Sequence, residues 1–123
     1  KTLFLPEELQ VEQAIRELLA ENSLHAGSVD LLLSGRSGAD ESDNYYGMVE
    51  KAIFSTTPIA YFKSLCGEYP TASAFAVWLA ANLLKHPQVP TVVLQQFTGP
   101  LQHILIYTKD DLGYHSIMLL MAC

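Results

Sequence analysis

The chain has 123 residues, 50% of them hydrophobic, with thirteen acidic against seven basic side chains for a formal net charge of −6. That is enough apolar material for one α/β domain, residues 1–123, with a real core, and too little chain for two. Phosphate recognition needs a clustered Lys/Arg surface that seven bases in this balance cannot assemble, so nucleic acid is excluded as a partner, and no apolar run approaches the roughly 18–20 residues of a membrane span. Cys66 and Cys123 lie far apart without metal-ligand spacing, which points to a reducing cytoplasm. The opening at Lys1, without a charged-then-apolar leader, suits a soluble chain or a fragment of a longer one.

In chain order, Leu3-Phe4-Leu5 leads into Pro6-Glu7-Glu8, where a proline and two acids mark a helix start. Val11, Ala14, Ile15, Leu18 and Leu19 then recur at three-and-four spacing opposite Glu12, Gln13, Arg16, Glu17 and Glu21, the pattern of an amphipathic helix covering a sheet. Asn22, Ser23 and Gly27 end it. Val29-Asp30-Leu31-Leu32-Leu33 reads as a parallel strand buried on both faces. Ser34 to Asp43, with two glycines and three acids, reads as a loop at the carboxyl end of that strand, where open α/β sheets keep their sites. A second helix is expected from Asp43 or Asn44, carrying Tyr46, Met48, Val49, Ala52, Ile53 and Phe54.

Thr57-Pro58-Ile59-Ala60-Tyr61-Phe62 is the next expected strand, with the proline tolerable only at its beginning. It delivers Lys63 into a turn where Gly67 allows a close reversal. Pro70 and Thr71 suit a helix entrance, and Ala72, Ser73, Ala74 and Ala76 let the helix start pack tightly. The helix from Thr71 to about Lys85 is apolar almost all round (Phe75, Val77, Trp78, Leu79, Leu83, Leu84), as expected of a helix buried on two sides. Thr91 to Gln95, His103 to Thr108 and His115 to Met121 read as strands, and the polar turn Lys109–Gly113 makes the last two an antiparallel hairpin. The expectation is one mixed sheet of about five strands with helices on both faces.

The junction Lys63-Ser64-Leu65-Cys66-Gly67-Glu68, followed by the small-residue helix start, resembles the third signature of the β-ketoacyl synthases, the condensing enzymes of the thiolase fold. The resemblance covers most of the chain, whose element order is that of the C-terminal half of a condensing enzyme with its first strand missing. The family's Ile-Asp-hydrophobic strand and His-Gly-Thr-Gly-Thr loop look like Val29 to Leu33 and Ser34-Gly35-Arg36-Ser37-Gly38-Ala39, running on to Ser42-Asp43. Its Gly-Gly-Thr-Asn loop looks like Gly99-Pro100-Leu101-Gln102. Asp30 and Asp43 match. Gly35 stands where the resemblance puts the first catalytic histidine, and Glu68 where it puts the second.

Those departures decide the chemistry that the resemblance implies. Decarboxylative condensation needs a cysteine nucleophile, which the family carries on its other half, and two histidines that stabilise developing negative charge. Gly35 has nothing to donate, and an ionised Glu68 would repel an oxyanion. Lys63 remains, as electrostatic support in the family's site. The reading is therefore a non-catalytic ketosynthase-like domain, similar to chain-length-factor subunits. It would be the partner of an active ketosynthase subunit or of a missing N-terminal half in fatty-acid or polyketide assembly, with acyl carrier protein as a further partner and a dimer as the working form. The alternative is a fragment of an active 3-oxoacyl-[acyl-carrier-protein] synthase, an acyltransferase whose nucleophile lies outside this chain. Lys63 and Glu68 are expected to interact or share a polar pocket, the plainer alternative being that both lie exposed on the surface. No cofactor is implied.

Other groups read more plainly. Cys66 beside Lys63 is a low-pKa thiol or, on the plainer reading, a buried inert one. Asp40, Glu41 and Asp43 lack the alternation of an EF-hand loop and read as a solvated acidic stretch. His25, His86, His103 and His115 show no metal-ligand spacing and read as surface or packing histidines. The Phe75/Val77/Trp78/Leu79 cluster is core, or the face that meets a missing half or partner.

Overall fold

The computed structural model describes residues 2–4, 7–35, 40–61, 72–85, 102–109 and 114–121. They form β1 (Thr2–Phe4), α1 (Glu8–Glu21), a 3-10 turn (Ala26–Ser28), β2 (Leu31–Ser34), α2 (Asp40–Ala52), β3 (Ile59–Tyr61), α3 (Ala72–Lys85), β4 (His103–Lys109) and β5 (Tyr114–Met121). The five strands make one sheet in the order β1-β5-β4-β2-β3. β2 pairs parallel with both β3 and β4, whereas β5 pairs antiparallel with β4 and β1, so β5 alone runs against the rest.

Three consecutive leucines decide where the sheet is thickest. Leu31, Leu32 and Leu33 are all fully buried, because alternate side chains of a strand point to opposite faces and both faces are covered. Leu32 joins Leu105, Ile117 and Tyr107 beneath α1 and α2, which contribute Val11, Ile15, Leu19, Tyr46 and Val49. Leu31 and Leu33 join Ile104 and Ile106 on the opposite face, under Ala76, Leu79, Ala80 and Leu83 of α3. Each such leucine removed from water stabilises the fold by about 1.5–3 kcal/mol. The chain passes from β2 through α2 to the edge strand β3, then back through α3 to β4 on the far side of β2. At a constant right-handed crossover, reversing direction along the sheet puts the second helix on the opposite face.

Local chemistry sets the element ends. The Glu7 backbone N–H donates to Gln10 Oε1 at 2.8 Å, tying down the first turn of α1. At its other end Ser23 adopts a left-handed φ of 59°. Leu24 N–H reaches the Leu19 carbonyl at 2.8 Å and Ser23 N–H the Ala20 carbonyl at 3.0 Å, the paired bonds of a Schellman stop. The helix therefore ends at Asn22 and Ser23 as the sequence implies, while Gly27 belongs to the 3-10 turn.

Several expectations need correction. The opening residues, read only as the lead into α1, form a strand: Thr2–Phe4 lies on β5 in the register Thr2↔Ser116 and Phe4↔Tyr114, and the Phe4 and Tyr114 rings sit 4.7 Å apart. A strand of three residues with one side chain partly covered has no periodicity to read, and its existence depends on a partner far along the chain. β2 begins at Leu31, two residues later than read, because the Asp30 carboxylate turns to accept the N–H groups of Gln102 and His103 at 2.9 and 3.0 Å. α2 begins at Asp40, inside the stretch read as loop. Acidic residues are favoured in a first helical turn, and that preference outweighs the loop-like composition. The expected parallel pairing of β2 and β3, the α3 helix and the β4–β5 hairpin are all present. The strand expected at Thr91 to Gln95 lies outside the described residues.

Trp78 is not core. It is 59% exposed, while Leu79 beside it is 8% exposed and Phe75 and Val77 are half-buried, so α3 covers the sheet with one face and leaves the other uncovered among the described residues.

Candidate functional site

Open α/β sheets keep ligands at the carboxyl ends of strands where neighbouring crossovers depart in opposite directions. Here the crossover after β2 leads to α2 on one face and the one after β3 to α3 on the other, so that point lies between β2 and β3; Gly35, the residue after β2, stands at the carboxyl end of β2 on the side that borders β4. The last ladder pair is Ser34↔Tyr107, and the Gly35 N–H still donates to the Tyr107 carbonyl at 2.9 Å. The Lys109 N–H, which would next face β2, donates instead to the hydroxyl of Tyr46 on α2, at 2.8 Å. A helix side chain thus supplies the rung the ladder lacks.

Tyr46 fills the fork. Its side chain is 2% exposed, and a Cβ at position 35 would stand 2.7 Å from Tyr46 Oη, 2.7 Å from Thr108 Oγ1 and 3.1 Å from Thr108 Cα. No conformational demand of glycine is involved; the glycine is required by crowding. Behind Tyr46 the aromatic ring of Tyr107 lies 5.1 Å away at 56°, and the Tyr107 hydroxyl hydrogen-bonds His115 Nδ1 at 2.9 Å, with the imidazole stacked on the phenol at 5.9 Å. Tyr107 and His115 are each 1% exposed. The two phenols and the imidazole are thus linked and buried together. Among the described residues, they pack the carboxyl end of β2 against β4.

The residues carried by the sequence reading fall as follows. Gly35 is buried at the fork. Asp30, matched to the family's aspartate, is a clamp: besides its two backbone donors at the entry to β4, its carboxylate lies 3.9 Å from His103 Nδ1. Asp43 lies in the first turn of α2. Lys63, Cys66, Gly67, Glu68, His86, Gly99 and Cys123 lie outside the described residues, and so does the expected Lys63–Glu68 pairing. His25 receives the Gly27 N–H on Nδ1 at 3.1 Å, and His115 is a packed, hydrogen-bonded core residue. Among the described residues, no three His, Cys, Asp or Glu side chains gather as a metal site requires, and no helix is long and apolar enough to cross a membrane. A broad open groove runs along the outer face of α1, over Leu9, Glu12, Gln13 and Arg16.

Tyr46, Tyr107, Thr108 and His115 were not singled out as a group by the sequence. Strand parity carries part of the signal, since Tyr107 is in phase with Leu105 and His115 with Ile117, both inward-facing. The meeting of Tyr46 with Gly35 and Lys109 has no local signature. In the wider comparison, no protein-family model, no curated protein and no solved structure matches the chain.

Proposed function

We propose that this chain is a non-catalytic β-ketoacyl-synthase-like domain of thiolase-like fold, a structural partner in acyl-chain condensation of the fatty-acid or polyketide type. The observation that carries the reading is the filled fork at Gly35: the position at which the resemblance requires a histidine has a hydroxyl 2.7 Å away on each of two sides, from Tyr46 and Thr108. An imidazole cannot be accommodated there without displacing both. The packing around Gly35 thus supports a position that carries no donor side chain. The fold half of the proposal draws on the element order alone, β-α-β-α-β-α-β-β across the described elements. The uncovered apolar side of α3, with Trp78 outermost, is what a domain working against an active ketosynthase subunit would keep.

The test is a reconstituted condensation assay with an acyl-carrier-protein substrate. The chain alone should give no product, and Glu68→Gln should leave that result unchanged. With an active ketosynthase subunit present, the chain should co-sediment with it. Condensation by the unmodified chain alone, abolished by Glu68→Gln, would overturn the non-catalytic reading.

A further inference from the structure

We draw no further inference here: the strongest candidate, the outward apolar stripe of α3 around Phe75 and Trp78, is an uncovered helix face, and nothing in the structure shows what covers it.

Discussion

Replacing Gly35 with alanine is the sharpest perturbation of the closed fork. The new methyl carbon would meet Tyr46 Oη and Thr108 Oγ1 at 2.7 Å, where ordinary contact begins at 3.4 Å. Both hydroxyls must therefore retreat by about 0.7 Å, or the backbone of β2 must shift by a similar amount. Overpacking of this kind costs about 1–3 kcal/mol. If Tyr46 moves, its 2.8 Å bond from the Lys109 N–H lengthens beyond useful range, adding about 1–3 kcal/mol for a backbone donor left unsatisfied. The loss of chain freedom in the unfolded state returns about 0.4–1 kcal/mol. The net expectation is a destabilisation of about 2–4 kcal/mol. Urea unfolding followed by far-UV circular dichroism would read this as a midpoint lowered by about 1–2 M at unchanged slope. In a Tyr46→Phe background the same change should cost less by about 1 kcal/mol or more, since one of the two obstructing hydroxyls is gone and the pair is coupled. A Gly35→Ala protein within 0.5 kcal/mol of the parent, or strictly additive with Tyr46→Phe, would refute the claim that the fork is filled.

Ser23→Gly should raise stability by about 0.5–1 kcal/mol, because φ of 59° strains a serine and not a glycine; thermal unfolding decides the sign. Asp30→Ala should cost about 2 kcal/mol by stripping two backbone donors at the entry to β4 of their acceptor, and Asp30→Asn should cost less because one side-chain oxygen remains; both are read by denaturant titration. Trp78→Ser should change monomer stability by less than about 0.5 kcal/mol, whereas Leu79→Ala should cost about 2–5 kcal/mol. Trp78 is the single tryptophan and is 59% exposed, so its native fluorescence should be quenched freely by iodide and become protected when an active ketosynthase subunit is added. Free quenching that persists in a formed complex would remove α3 from the proposed interface.

What could be read in advance divides by the range of the forces involved. Leu31–Leu33 and Ile104–Ile106 declare buried strands because doubly covered strands need unbroken apolar runs, and residues 72–85 declare a helix by length and composition. The end of α1 was legible too, since Asn22 and Ser23 suit a stop, although the positive φ falls on serine rather than on a nearby glycine. β1 was not legible: three residues carry no period, and their pairing is settled by Ser116 and Tyr114. The candidate site was legible only at Gly35, and then only as an absence of side chain. That the space is taken by a phenol from the next helix and a threonine from the neighbouring strand depends on packing between segments far apart in sequence, which no window of residues reports.

The place of β1 bears on how the protein is made. Its partner residues 114–116 follow it by more than a hundred positions, and at a synthesis rate of about 5–20 residues per second that is a wait on the order of ten seconds. β1 can thus take its seat only after β5 has emerged, so Leu3 and Phe4 spend that interval without the strand they later pair with. A ribosome-bound chain stalled before β5 would hold α1, β2 and α2 already formed over a sheet still open along β4, and it is this intermediate, rather than the finished domain, that a holdase chaperone would have reason to grip.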